Sequence, residues 1–258
     1  MAVCARAGTP DCRDLSFTVR PARARAEKPK ISALTTAKID RVLAFELDCV
    51  FGFCDLQADI AASLIRSGIQ VTIFNPRSII EILSMRAQVA AIVRQPKKGQ
   101  ALIAEIRASM QAIAMQTQAL DRAGIPGLVV FFEEWDQPHI CAIGCVSDLI
   151  ALAGGVDRFA ELGKVPLGRD RIIADDTEII ARNPDIIIGF WCGKKFRPET
   201  VASRPGWESI AAVRINQLYE IKSPDILQPG PAALTDGLRH LYEIIFQWRH
   251  RASLGAGQ

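Results

Sequence analysis

The residues best suited to chemistry lie in the stretch FFEEWDQPHICAIGC, residues 131 to 145. Glu133, Glu134 and Asp136 surround Trp135, and acid/base catalysis needs two carboxylates whose pKa values differ. Adjacent carboxylates on a loop point in different directions, however, and no partner nucleophile lies nearby. The other interpretation is a pocket, in which Trp135 offers a flat face to a ligand and the carboxylates accept hydrogen bonds.

A zinc site is the second chemistry that this stretch suggests. His139, Cys141 and Cys145 are residue types that bind zinc, and the two cysteines are four residues apart, a spacing that can place both on one helix face. No fourth ligand is evident, and no CxxC pair occurs among the seven cysteines. We therefore predict no metal site, and we expect His139, which follows a proline, to lie on the surface.

The composition excludes several classes of protein. The 258 residues carry a net charge of only +3, and the basic residues between positions 20 and 30 have no aromatic residues among them, so we predict no nucleic-acid binding. No run approaches the roughly 18 to 20 apolar residues of a membrane span. Residues 1 to 17 also lack the apolar core of a secretory signal, and the chain would be cytoplasmic if its start is genuine.

Strand and helix patterns alternate along the chain, which predicts the α/β class with parallel sheets. An apolar run at 49–53 predicts a buried strand, Asp55 is placed to cap the helix that follows, and a second strand is predicted at 70–74. Between Lys97 and Arg122 apolar residues recur at helical spacing, and the α/β alternation then restarts. We predict an irregular tail (1–30), an N-terminal α/β lobe (31–96), a linker helix (97–123), a C-terminal α/β lobe (124–250) and a second tail (251–258).

The two lobes contain similar segments. Residues 42–53 (VLAFELDCVFGF) align without gaps on residues 179–190 (IIARNPDIIIGF), and each segment ends in Gly-Phe after an apolar strand. Ligands of open α/β sheets bind outside the carboxyl ends of the strands, so we expect Phe53 and Phe190 to face one cleft between the lobes. The first lobe lacks a strand and a helix before its segment, although LSFTV (15–19) could supply a short strand.

These features together resemble the substrate-binding proteins of ABC importers for cobalamin and iron chelates, in which one rigid helix joins two α/β lobes. The stretches that carry the resemblance are 38–69, 131–155 and 218–238. The resemblance implies capture of cobalamin or a similar metal chelate (haem, a ferric siderophore), no catalysis, no cofactor, a periplasmic location and docking on a membrane permease. The residues expected to contact the ligand are Phe53, Asp55, Glu133, Glu134, Trp135, Phe190 and Trp191, with amides of a corrin rim donating to the two glutamates.

The sequence departs from that family in three places. Members begin with an export signal, a strand and a helix, which residues 1–27 do not match. The family also places a glutamate for permease docking at the start of one helix in each lobe. The first such position is Ile80, with Glu81 beside it as the candidate, and no glutamate occurs near residues 226–232. Cys145 stands where relatives often carry tryptophan.

The sequence leaves two other functions open. The first is a cytosolic enzyme of the doubly wound α/β class that uses Glu133, Glu134 and Asp136, with Cys54 or Cys192 as a further reactive group. It lacks the expected support, because no GxGxxG, phosphate loop or Ser-His-Asp arrangement is present. The second is a decayed or wrongly assigned reading frame whose product folds poorly.

Overall fold

The computed structural model describes residues 2–5, 11–13, 26, 36–165, 167–191 and 194–255. The chain divides into two compact units. Unit 1 comprises Met1–Pro76 and Glu81–Ala101, and unit 2 comprises Arg77–Ile80 and Leu102–Gln258. Both contain helices packed with sheets that include parallel strands, which confirms the predicted α/β class.

The sheet of unit 1 has the strand order β2-β1-β3-β4. Its strands are β1 (Ala2–Ala5), β2 (Asp11–Arg13), β3 (Leu47–Gly52) and β4 (Gln70–Ile73). β3 and β4 are parallel, whereas β1 runs antiparallel to both β2 and β3. Helices α1 (Ile39–Leu43) and α2 (Ala58–Arg66) supply Val42, Ile60 and Leu64 to a core that they share with Leu47 and Val50 of β3.

The predicted irregular tail over residues 1–30 is wrong at β1 and β2. Backbone pairing with β3 places Ala2–Ala5 in the sheet, and no apolar periodicity in this short segment indicated that pairing. The predicted strand at 15–19 lies outside the described residues.

Helices α3 (Ile79–Ile92) and α4 (Pro96–Arg122) follow the first sheet. The 27 residues of α4 span about 40 Å at 1.5 Å per residue and coincide with the helix predicted over 97–123. The boundary between the units falls between Ala101 and Leu102, so the chain passes from unit 1 to unit 2 inside this helix.

The sheet of unit 2 has the order β10-β9-β5-β6-β8, and β7 also pairs with β5. Its strands are β5 (Leu128–Asp136), β6 (His139–Cys141), β7 (Gly155–Asp157), β8 (Ile172–Ile173), β9 (Ile186–Gly189) and β10 (Leu218–Glu220). β5 is parallel to β7 and β9, β9 is parallel to β10, and β6 is antiparallel to both β5 and β8. The unbroken apolar run of β9 is buried throughout, as expected of a central parallel strand.

The helices of unit 2 cover this sheet. They are α5 (Gly144–Leu152), α6 (Asp176–Arg182), α7 (Pro198–Ala202), α8 (Ala211–Arg214), α9 (Ser223–Ile226) and α10 (Leu238–Gly255). Asp175 caps α6 by accepting a hydrogen bond from the N–H of Thr177 (2.8 Å), which satisfies a donor that the first helical turn leaves unpaired. None of the helices among the described residues combines the length and the apolarity that a membrane crossing requires.

The buried Arg249 fastens α10 to the rest of unit 2. Its guanidinium donates to Asp121 (2.5 Å), to the Gly154 carbonyl (3.3 Å) and to the Ile125 carbonyl, and its side chain is only 1% exposed. Thr117 of α4 adds a hydrogen bond to the Leu152 carbonyl (3.2 Å). The second part of α4 is therefore fixed to unit 2 by polar contacts in addition to packing.

Candidate ligand-binding site

The carboxyl ends of β5 and β9 lie side by side in unit 2. Glu133 pairs with Gly189 in the parallel ladder, and the N–H of Phe190 donates to the Glu133 carbonyl (3.1 Å). Residues 133–136 and 190–191 consequently share one edge of the sheet, where open α/β sheets bind their ligands.

The Glu133 carboxylate is the centre of a buried polar network. It is fully buried and accepts hydrogen bonds from Trp191 Nε1 (2.8 Å) and from Nη1 and Nη2 of Arg204 (2.7 and 3.1 Å). His139 Nδ1 lies 2.7 Å from the same carboxylate, and His139 Nε2 lies 3.1 Å from Asp176 Oδ1. A charge without access to water is tolerated only when it is paired and hydrogen-bonded in this way.

This burial corrects four sequence-based expectations. Glu133, Phe190 and Trp191 were expected to contact the ligand, and they are only 0%, 2% and 4% exposed, so they present almost no surface to it in this structure. Phe190 packs on Phe132 with ring centroids 5.4 Å apart. His139, expected on the surface, is 9% exposed because β6 turns its ring towards Glu133.

Glu134 is also paired. Its carboxylate accepts from Arg171 Nη1 (2.7 Å), and the Arg171 side chain is 2% exposed. The same guanidinium nitrogen donates to the Cys141 carbonyl. The Glu134 side chain is 18% exposed, so it lies at the rim of the strand end. The buried guanidinium of Arg171 compensates its charge.

Trp135 is the aromatic side chain that remains accessible at this edge. It is half-buried, and its Nε1 donates to the Gln137 carbonyl (2.8 Å), which fixes the indole plane. Lys194 Nζ lies 4.4 Å from the indole centroid and 2.9 Å from Asp136 Oδ1. An ammonium group over an indole face is a cation–π contact, and here an ion pair holds the ammonium in that place.

The corresponding strand end of unit 1 carries fewer polar contacts. Phe53 follows β3 and is half-buried, and its N–H donates to Oε1 of the buried Gln57 (2.9 Å). Asp55 begins a 3₁₀ turn (Asp55–Gln57), and α2 starts only at Ala58 with Gln57 at its N-cap position. The expectation that Asp55 caps this helix is therefore wrong. Ligand contact by Phe53 and Asp55 stays a prediction.

The cysteines of this region are buried. Burial raises the pKa of the Cys141 and Cys145 thiols to about 12. Within the described ranges no cluster of three or more His, Cys, Asp or Glu is placed to hold a metal ion. Cys54 is half-buried, and Cys192 lies outside the described residues.

Two other surface features share no residue with the strand end of unit 2, namely a groove beside α4 and α10 and the first turn of α3. A groove between α4 and α10 is lined by residues that include Gln116, Asp236, Arg239 and Tyr242, and these bond to one another as Asp236 with Arg239 (3.0 Å) and Tyr242 with Gln116. Glu81, the candidate for permease docking, lies exposed in the first turn of α3. The adjacent Ile80 is 79% exposed.

Sequence analysis missed the cations of the site. Arg204, Arg171 and Lys194 pair with Glu133, Glu134 and Asp136, respectively. The available signal was electrostatic, because carboxylates that enter a strand require cationic partners. Which cations supply them depends on the tertiary fold.

Comparison with known proteins gave no match among curated proteins, but several solved structures share the fold. The haem-binding protein RhuT from Roseiflexus sp. RS-1 is 21% identical with a TM-score of 0.69, covering 90% of this chain and 89% of that one. The vitamin B12-binding protein BtuF of Vibrio cholerae is 18% identical with a TM-score of 0.67, covering 90% and 86%. An ABC transporter substrate-binding protein from Listeria monocytogenes EGD-e is 14% identical with a TM-score of 0.74, covering 91% and 90%.

At these identities the structural likeness establishes the fold. The model of the periplasmic binding protein family matches residues 13–224, which is most of the chain. The sequence-based resemblance is thereby confirmed, and the chain belongs to the periplasmic binding protein family.

Proposed function

We propose that this chain is the substrate-binding protein of an ABC importer and captures a flat metal chelate such as cobalamin, haem or a ferric siderophore. The observation that carries the proposal is Trp135, an accessible indole held in a fixed plane at the carboxyl end of β5. The family consists of solute-binding proteins. Solved relatives named for vitamin B12 and for haem support a chelate as the solute.

The physical basis of capture is stacking. A tryptophan can bury on the order of 150 to 250 Å², and a large ring laid on the Trp135 face buries apolar area on both partners. Because the Nε1 hydrogen bond already fixes the indole of Trp135, little binding energy is needed to orient it. Phe53 and Asp55 of unit 1 are the second set of proposed contacts.

The proposed partner is the membrane permease of the importer, and the proposed location is the periplasm. Glu81 is the proposed docking residue of unit 1. Its exposure in the first turn of α3 and the exposed Ile80 beside it form a mixed acidic and apolar surface that a basic partner surface would complement. No resident cofactor is proposed, since the chelate is cargo.

The enzyme alternative receives no support from the geometry. Acid/base catalysis needs a carboxyl group that can exchange a proton with a substrate. Glu133, Glu134 and Asp136 are each paired with a cation, and Glu133 is inaccessible as well. These pairings favour a binding surface over a catalytic one.

The test is a fluorescence titration with cyanocobalamin, hemin and a ferric siderophore, corrected for absorption by the ligand. We expect saturable quenching with at least one of them, and Trp135→Ala should weaken binding by roughly 1 to 3 kcal/mol, as for other buried anchors. Trp248→Phe is the matched control, because Trp248 lies in α10 and bonds to Gln217. Unchanged affinity in Trp135→Ala would remove this indole from the site. A folded protein that binds none of the three would contradict the proposed function.

A further inference from the structure

We infer that the chelate bound at this strand end carries carboxylate groups on its rim, and that Lys194 pairs with one of them. The inference deepens the proposed function and rests on it. It replaces the sequence-based expectation that amides of a corrin rim donate to Glu133 and Glu134, and it follows from which hydrogen-bonding groups at the strand end are already used.

The acceptors of the strand end are committed to the protein. Glu133 accepts three hydrogen bonds from Trp191 and Arg204 and has no exposed surface. Glu134 accepts from the buried Arg171, and its side chain is 18% exposed. Asp136 accepts from Lys194, and its side chain is 16% exposed. Amide N–H groups of a ligand could therefore reach only the small exposed parts of Glu134 and Asp136, whose charges are already paired.

The donors remain available. The ammonium group of Lys194 has three donors, one of which is directed to Asp136, and its side chain is 48% exposed. Lys195 and Arg197 follow it and are exposed, and neither forms an ion pair within the part of the chain that the structure describes. Phe196 between them is buried and anchors this loop. Of these three cations, Lys194 alone pairs with a carboxylate among the described residues, that of Asp136.

The position of Lys194 connects the charge to stacking. Its ammonium lies over the face of Trp135, so a ring that stacks there must displace the ammonium towards the edge of the ring. A carboxylate at that edge restores an ion pair, whereas an amide offers only a neutral acceptor. A carboxylate adds the attraction between two opposite charges to the hydrogen bond, and an amide does not. The arrangement therefore favours a flat chelate with anionic substituents over one whose rim is amidated.

The decisive experiment compares hemin, which has two free carboxylates, with hemin dimethyl ester, which has the same ring and none. Dissociation constants are measured by tryptophan quenching for the wild type, Lys194→Met and Lys222→Met. Lys222 is an exposed lysine of unit 2 that pairs with Glu220, and it serves as the control for a lost surface charge.

We expect the wild type to bind hemin at least about tenfold more tightly than the ester, from the strength of one charge-assisted hydrogen bond. Lys194→Met should abolish most of this difference by weakening hemin and not the ester, and Lys222→Met should preserve it. Equal affinity for acid and ester, or an undiminished difference in Lys194→Met, overturns the inference while leaving chelate capture intact. If the folded protein binds neither form of hemin, nor cyanocobalamin, nor a ferric siderophore, the proposed function fails together with it.

Discussion

The carboxyl ends of β3 in unit 1 and β9 in unit 2 have similar backbone conformations, but different side chains pack on them. At the positions aligned by sequence, Glu46 and Asn183 both adopt the left-handed conformation (φ 47° and 43°) before the strand. Gly52 and Gly189 then end β3 and β9. At each glycine a Cβ would lie within 2.2 Å of a side chain, that of Ile73 in unit 1 and that of Phe196 in unit 2. The local sequence therefore determines the same turn twice.

The difference lies in the tertiary neighbours. In unit 2 the side chains of His139, Trp191 and Arg204 converge on Glu133, and Phe190 and Trp191 are buried. In unit 1 the side-chain amide oxygen of Gln57 accepts a hydrogen bond from the N–H of Phe53, and Phe53 stays half-buried. All four tryptophans and both tyrosines also fall in unit 2. The repeated segment therefore ends in a buried phenylalanine, Phe190, in unit 2 and in a half-buried phenylalanine, Phe53, in unit 1.

The largest effect is expected from Arg204→Met. This change leaves the buried Glu133 with a diminished set of partners, and breaking a buried pair typically costs about 3 to 5 kcal/mol. Urea unfolding followed by tryptophan fluorescence reports on unit 2 and measures the loss. The control Lys222→Met removes the cation of an exposed pair and should cost less than about 1 kcal/mol. A similar small loss in both variants would show that the Glu133 network adds little to stability.

The second prediction compares Gly189→Ala with Gly52→Ala. A Cβ at residue 189 would lie 2.1 Å from the buried ring of Phe196, whereas at residue 52 it would meet the end of the flexible Ile73 side chain at 2.2 Å. Overpacking costs about 1 to 3 kcal/mol, and we expect Gly189→Ala near the upper value and Gly52→Ala near the lower one. Calorimetry of both variants shows which one loses more stability. A larger loss in Gly52→Ala would contradict the conclusion that the strand end of unit 2 is the more rigid one.

The third prediction concerns the side-chain amide of Gln57, which accepts a hydrogen bond at the strand end of unit 1. Gln57→Leu keeps the side-chain volume but leaves the N–H of Phe53 without its acceptor, which should cost about 1 to 2 kcal/mol. Tryptophan fluorescence reports only on unit 2, so hydrogen exchange of peptides from residues 47–66 is the measurement. Exchange as slow as in the wild type would show that another group satisfies Phe53.

The smallest effect concerns reactivity. With thiol pKa values of about 12, Cys141 and Cys145 would be thiolate in only about one molecule in 10,000 at pH 8. We expect iodoacetamide to modify Cys54, which is half-buried in unit 1, before either of them. Peptide mapping by mass spectrometry resolves the sites. Early labelling of Cys141 or Cys145 in the native state would indicate that the strand end of unit 2 opens readily.

Periodicity and strand runs were sufficient to predict the α/β class, α4 and the strands β3, β5 and β9. They failed where pairing is long-range. β1 was missed because its place beside β3 depends on residues more than forty positions away. The partners of Glu134, Asp136 and Glu133 lie 37, 58 and 71 residues along the chain, a separation at which no local pattern operates. Trp135 was located correctly at a strand end because its position depends on β5 alone.

Arg249 has a consequence for the order in which the units fold during synthesis. Its guanidinium bonds to Asp121 and to the carbonyl of Ile125, which lie 128 and 124 positions earlier in the chain. Unit 1, in contrast, contains no residue beyond Ala101. Domains generally fold as units in the order of translation, and contacts between distant residues form late. Unit 1 can therefore complete its core while most of unit 2 is still being made. Asp121 and the carbonyl groups of Ile125 and Gly154 can bond to Arg249 only after α10, the last helix, has been synthesised.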